Sequence, residues 1–163
     1  MNIHIRAFKP EDYPDVAHIY QAGINTGIAT FEEQAPHFED WDVRFFPECR
    51  LIATLDGKVA GWAALSLVSK RKVYSGVAEV TVYVSPDYKG MGIGSTLLKS
   101  LIEASEAAGF WTLTAHIFPE NKASIALHIK HGFRIMGVHE KIAKCNGNWQ
   151  DNMLLERRST TIY

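Results

Sequence analysis

Apolar Ile3, Ile5 and Ala7 alternate with polar neighbours, which is the period of a half-buried strand. The spacing then changes to threes and fours at Val16, Ile19, Tyr20 and Gly23, predicting a helix opened by Pro10-Glu11-Asp12. A Gly- and Thr-rich loop over 23–30 leads to a second short helical stretch near 38–46. Alternation returns over 50–55 and 58–68, on either side of Asp56-Gly57, a pair suited to the positive φ angles of a two-residue hairpin turn. Residues 73–84 are rich in β-branched side chains and predict a third, longer strand, closed by Pro86, which has no N–H to offer a ladder. Ile93, Leu97, Leu98, Leu101 and Ile102 recur at helical spacing, with Gly109 placed to end the helix. Beyond it, 113–117 predicts a buried strand, 124–131 a short helix, and 134–142 and 149–157 two closing strands. No segment repeats another. The pattern describes an α/β (α+β) domain, a mixed and mostly antiparallel sheet of about six or seven strands flanked by about four helices.

At 163 residues the chain fits one domain, 1–163, large enough to close a core without disulfides or metals. Apolar residues make up 47% and charged residues 21%, which excludes the composition of a disordered chain. Seventeen Lys+Arg against 18 Asp+Glu leave a net charge of -1, so no whole-protein field draws in nucleic acid or an anionic membrane, and any anion site must be local. The first residues lack a basic start followed by an apolar stretch, and no apolar run approaches the roughly 18 residues of a membrane span, so a cytoplasmic setting is expected. Cys49 and Cys145 stand alone, fit no metal-ligand spacing and are too sparse for a disulfide scaffold. Both read as packing residues.

Lys89-Gly90-Met91-Gly92-Ile93-Gly94-Ser95 lies between the end of a strand and the start of a helix. Glycines let the backbone approach closely, and the first N–H groups of a helix have no internal partner, so hydrogen bonds and the helix dipole together favour an anion. A pyrophosphate suits such a turn. A dinucleotide-binding fingerprint would need glycine where Ser95 stands and an acidic residue roughly 20 positions on, and a Walker turn would need a lysine before Ser95. Neither pattern is present. The remaining alternative from these residues alone is a glycine-lined turn that serves packing.

Arg/Gln-x-x-Gly-x-Gly/Ala at a strand-to-helix turn is the pyrophosphate-binding signature of the GNAT superfamily of N-acetyltransferases, and Lys89-Gly90-Met91-Gly92-Ile93-Gly94 resembles it, with lysine in the basic first position. The resemblance extends to the Val82-Tyr83-Val84 strand end, to Asn121-x-x-Ser124 and to Gly132-Phe133. Within the superfamily, Arg71-x-x-Tyr74, Ala78-Glu79, Thr81-Val82-Tyr83-Val84 and Gly147-Asn148-Trp149-x-Asp151 together resemble the phosphinothricin and methionine sulfoximine acetyltransferases. At Asn146 the chain departs from the phosphinothricin enzymes, which carry histidine there, so no histidine role carries over. The resemblance implies the GNAT fold, acetyl-CoA as acetyl donor without a metal, a small-molecule amine as acceptor, and a homodimer with the substrate site near its interface. It further implies that the backbone of Val82, Tyr83 and Val84 pairs with the pantetheine arm. Lys89, Gly90, Met91, Gly92, Ile93, Gly94 and Ser95 would hold the pyrophosphate, and Asn121 and Ser124 would contact the pantetheine region.

Acetyl transfer to an amine requires a neutral nitrogen, so a base must take the proton that the free ammonium holds at neutral pH. Glu79 stands in an apolar, β-branched run where a carboxylate is costly to bury; it is either that base, directly or through a water, or the ion-pair partner of Arg71 or Lys72. A backbone N–H near Val82 or Val84 would stabilise charge developing on the carbonyl oxygen, a contribution of about 3 kcal/mol. His128 occupies the place, four residues before the Gly-Phe pair, where many superfamily members use tyrosine as an acid; its imidazole either protonates the departing thiolate or is a packing or solvent residue of the helix surface. Arg71, Lys72, Val73 and Tyr74 precede Glu79 on the same expected strand, within reach of a carboxylate or an oxidised sulfur or phosphorus group, unless Lys70-Arg71-Lys72 is a solvated turn. Phe31 matches the family's substrate-side aromatic or belongs to the core, and Lys130 faces either the same pocket or water. The acceptor expected is the α-amine of a zwitterionic amino acid analogue. A polyamine, a protein N-terminus, or a non-catalytic acyl-CoA sensor remains the alternative; the basic 70–72 stretch speaks against a polyamine and the retained Glu79 for catalysis.

Overall fold

A computed structural model describes residues 2–163. Seven strands form one sheet in the order β1-β2-β3-β4-β5-β7-β6. The strands are β1 (Ile3–Ala7), β2 (Phe45–Leu55), β3 (Lys58–Leu67), β4 (Val77–Val84), β5 (Thr112–Ile117), β6 (Arg134–Cys145) and β7 (Asn148–Arg158), with helices α1 (Tyr13–Asn25), α2 (Phe38–Arg44), α3 (Ile93–Ala107) and α4 (Lys122–Lys130). All neighbours are antiparallel except β4 and β5, joined through α3. A crossover helix is what a parallel pair requires.

The period-two alternation of the central strands divides the core into two layers. Ala63 and Leu65 of β3, with Ala78 and Val80 of β4, meet Leu97, Leu98 and Leu101 of α3 on one face. Trp62 and Ala64, facing the other way, meet Val16, Ile19 and Tyr20 of α1 and Trp41 of α2. The second layer is largely aromatic, with the Trp41 and Trp62 rings 5.7 Å apart edge to face. Arg50 fastens α2 to β2: its guanidinium, 7% exposed, pairs with Asp42 at 2.5 Å and donates to the Phe45 carbonyl.

The Asp56-Gly57 hairpin turn is present, with φ of 51° and 79°. Several expected boundaries are corrected. The strand expected over 73–84 begins only at Val77, because Lys72–Tyr74 closes a 3-10 turn in which Tyr74 and Ser75 donate to the Arg71 and Lys72 carbonyls. Gly76 then accepts from both Trp111 and Thr112. β2 starts at Phe45 rather than Arg50, across an irregularity between Phe45 and Arg50 that contains Pro47. β6 runs on to Cys145 through a bulge between His139 and Ala143, where Lys141 takes φ 46°. Among the described residues, no helix is long and apolar enough to cross a membrane.

Candidate active site

The sheet forks at its centre. β4 and β5 pair only over Val77–Thr112, Ala78–Leu113 and Glu79–Thr114. β4 keeps its ladder with β3 as far as Val84, and β5 keeps its ladder with β7 as far as Ile117. Past Glu79 the two strands therefore separate, and the β5-facing edge of residues 80–84 has no strand beside it. Such an edge presents N–H and C=O groups to any extended chain that can lie along it. The fork opens into a groove of about 840 Å³, walled by β4, the glycine-rich turn, the first turn of α4 and the loop after α1.

The outer end of the groove is the turn predicted from the sequence. Gly90 and Gly92 take φ of 78° and 81°, and a Cβ at either would meet nothing within 4 Å, so backbone conformation rather than crowding calls for glycine there. Among the described residues, the amides of 90–95 donate to no main-chain carbonyl, and the first returning bond is Thr96 N–H to the Gly92 carbonyl at 3.1 Å. Free amides at the N-terminus of the fifteen-residue α3 make an anion cradle. Lys89 lines the groove beside it.

Glu79 occupies the inner end. Its partner is neither Arg71 nor Lys72: Glu79 Oε1 lies 2.5 Å from Nδ1 of His116 on β5. The two side chains are 28% and 35% exposed. This hydrogen bond, opposed by partial burial, raises the imidazole pKa above its ordinary value. Sequence reasoning missed His116. Its signal was a polar residue in an otherwise buried strand beyond a β-α-β crossover, and only the β4–β5 register turns that into a contact.

His128 is 4% exposed and packs edge-on against Phe133 at 5.1 Å, which rules out the solvent alternative. Its Nδ1 donates to the Ser124 carbonyl at 2.7 Å, since a carbonyl can only accept. Burial lowers its pKa and holds the ring neutral. Asn121 Oδ1 caps α4 by accepting from the Ser124 amide at 3.3 Å. Val82 and Val84 pack on the α3 side, whereas the Tyr83 ring stacks on Tyr20 and Trp62 under α1, so that only its backbone faces the fork. Burial raises the Tyr83 phenol well above the usual tyrosine range.

The other expected residues lie apart from the groove wall. Arg71, Lys72, Val73 and Tyr74 belong to the 3-10 turn and its flank, not to the strand of Glu79, and Val73 and Tyr74 are exposed. The Arg71 guanidinium sits over the Tyr74 ring, 5.4 Å from its centroid. Lys130 is exposed on α4, Met91 is exposed on the turn, and Phe31 packs edge-on against Phe118. In their place the wall carries Arg44, the last residue of α2, 3.3 Å from Glu32, together with Thr30 and Glu120. No apolar period singles out Arg44.

A groove with unpaired amides at one end and an unpaired strand edge along it has the features that a coenzyme A thioester, with its diphosphate and extended arm, requires. The chain belongs to the acetyltransferase (GNAT) family, which it matches over residues 10–133. It is 33% identical to a phosphinothricin N-acetyltransferase of Alcaligenes faecalis, covering 94% of this chain and 81% of that one. It is 31% identical to an L-methionine sulfoximine/L-methionine sulfone acetyltransferase of Pseudomonas paraeruginosa, covering 93% and 91%. A phosphinothricin acetyltransferase from Sinorhizobium meliloti, solved in complex with acetyl-CoA, superimposes with a TM-score of 0.89 at 29% identity, covering 100% of this chain and 93% of that one. The protein is a GNAT acetyltransferase, and acetyl-CoA is its acetyl donor.

Proposed function

We propose that the protein, acting over 1–163 as one N-acetyltransferase domain, acetylates the α-amine of a small amino acid analogue of the methionine sulfoximine, methionine sulfone or phosphinothricin type. The observation that carries this reading is the fork at Glu79. A donor anchored at 90–95 and laid along residues 82–84 places its far end beside a carboxylate–imidazole pair that can accept a proton. When bound, acetyl-CoA supplies an acetyl group activated as a thioester. The residues of the chain hold it, receive the proton shed by the acceptor's ammonium, and offer a backbone N–H near Val82 or Val84 to the carbonyl oxygen.

Support for a zwitterionic acceptor comes from the named activities of the two relatives and from the Arg44 guanidinium on the groove wall. Arg71 and Lys72, on the turn that precedes β4, carry positive charge that suits an anionic phosphinate or the accepting oxygen of a sulfoximine or sulfone. His128 is neutral and its Nδ1 proton is engaged, so it has none to give a departing sulfur. We assign it to shaping the wall with Ser124, leaving protonation of the sulfur to solvent.

A homodimer is proposed on the β6–β7 ribbon. β6 is the sheet edge, and Ile135, Met136, Val138, Ile142 and Trp149 are exposed along the ribbon. A second copy covering this patch would account for it and would bring another subunit near the open side of the groove. The free thiols of Cys49 and Cys145 suit the reducing compartment in which acetyl-CoA is made. The test is CoA release measured against a panel of amino acids, their sulfoximines and sulfones, phosphinothricin, polyamines and peptides. Turnover is expected with the oxidised amino acid analogues. Preference for a polyamine or a peptide N-terminus would overturn the substrate class, and tight acetyl-CoA binding with no turnover on any amine would make the protein a sensor.

A further inference from the structure

We infer that His116, rather than Glu79, takes the proton from the acceptor amine, and that Glu79 is a positioning residue that orients the ring. The inference rests on the acetyltransferase reading and assigns the base within it.

The geometry assigns the proton. An ionised carboxylate can only accept, so the 2.5 Å contact between Glu79 Oε1 and His116 Nδ1 places hydrogen on Nδ1. The neutral ring then carries its lone pair on Nε2. Among the described residues Nε2 makes no hydrogen bond within the protein, and the ring lines the groove. Glu79, by contrast, spends Oε1 on the ring and is the less exposed of the two. The last β4–β5 rung is Glu79–Thr114, and His116 stands one pleat further along β5 on the same face, where the sheet has opened. Of the two groups, the imidazole is therefore the one set beyond the fork.

The surroundings leave Glu79 as the dominant influence on the ring. On β7, Leu154 faces His116, and Glu156 on the same face is tied to Arg134 at 2.9 Å. Arg44 from α2 pairs with Glu32, and Glu120 ahead of α4 accepts from Gln150 at 2.8 Å. From α1 the groove meets Ala22 and Gly23, which carry no charge, while the Tyr20 and Tyr83 phenols stay protonated in the aromatic layer. The bond to Glu79 makes His116 a stronger base than a free imidazole, which suits a proton held by an ammonium.

The step balances. One proton passes from the ammonium nitrogen to His116 Nε2 and then to solvent. The freed nitrogen pair bonds to the acetyl carbon, the carbon–sulfur bond breaks with its electron pair on sulfur, and the second nitrogen proton is lost as sulfur becomes the thiol.

The test follows the His116 ring by 15N NMR of histidine-labelled protein from about pH 5 to 9, with His116→Gln used for assignment, alongside kcat/KM profiles with an acceptor from the panel. The neutral ring should be the Nδ1–H tautomer, with a midpoint above the ordinary value of about 6.5 that falls in Glu79→Gln. The acid limb of kcat/KM should follow that midpoint in both proteins. His116→Ala should lose the limb and about 100-fold or more in kcat while acetyl-CoA affinity holds. A neutral ring protonated on Nε2 would overturn the proposal, and the tautomer is read on the unmodified protein whether or not the variants fold. So would a His116→Ala enzyme that keeps rate and limb while Glu79→Gln loses both. If the unmodified protein binds acetyl-CoA yet acetylates no amine, the acetyltransferase reading fails first, a result distinct from either of these.

Discussion

Replacing Gly92 by valine tests the anion cradle directly. Gly92 holds φ 81° at the N-cap of α3, and no atom lies within 4 Å of where its Cβ would be, so the side chain fits and the backbone is what resists. An L-residue in the left-handed region costs about 1–2 kcal/mol, and a β-branched one sits at the upper end. Relaxing that strain turns the neighbouring amides out of their common direction. Losing one charge-assisted hydrogen bond to a phosphate oxygen costs about 2 kcal/mol, or about 30-fold in Kd. Gly57 supplies the control: it has φ 79°, equally open space around its missing Cβ, and a place in the β2–β3 turn away from the groove. Gly57→Val should lower the thermal midpoint by a similar amount, about 2–4 °C for each kcal/mol, and leave acetyl-CoA affinity untouched. Calorimetry with acetyl-CoA separates the two effects. Unchanged affinity in Gly92→Val, or an equal loss in Gly57→Val, would refute the reasoning.

Charge placed on the β6 ribbon by Val138→Glu with Ile142→Glu should halve the sedimenting mass if a second copy covers that face; a native protein already monomeric at micromolar concentration would remove the dimer. His128 has a folded pKa below its unfolded value, so its contribution to stability is intact above about pH 6.5 and is lost as pH falls through the folded pKa. The stability difference between the wild type and His128→Gln, followed by urea unfolding, should therefore shrink as pH drops below about 6.5, and a pH-independent difference would contradict a buried neutral ring. Arg50→Met removes a buried donor from the Phe45 carbonyl and its ion pair with a half-exposed Asp42, which should cost about 2 kcal/mol in the same assay.

Where local chemistry decides structure, the sequence was readable. Asp56-Gly57 can turn a hairpin by itself, the 93–102 period places α3, and three glycines at a strand-to-helix junction mark a turn with unpaired amides before any neighbour is known. Where structure is decided between distant segments, it was not. Glu79 and His116 are 37 residues apart and meet only because α3 returns β5 parallel to β4 in one particular register. Arg44 reaches the groove because Arg50 fastens α2 at its foot, which no spacing reports. The strand expected to begin at Val73 was an error of continuity. Val73 and Val77 share β propensity, and the Ser75-Gly76 break between them declares itself only through the bonds from Trp111 and Thr112.

The open edge of β4 has a consequence for how this protein can change. Its grip on the donor is assigned to amides and carbonyls, which every residue except proline provides in full, so side chains elsewhere around the groove can change while that edge keeps the groups assigned to the donor. A designer seeking a new acceptor can therefore diversify Arg44, Thr30 and the 71–74 turn freely, and should expect loss of the donor chiefly from prolines introduced along that edge or from rigid substitutions at Gly90 and Gly92.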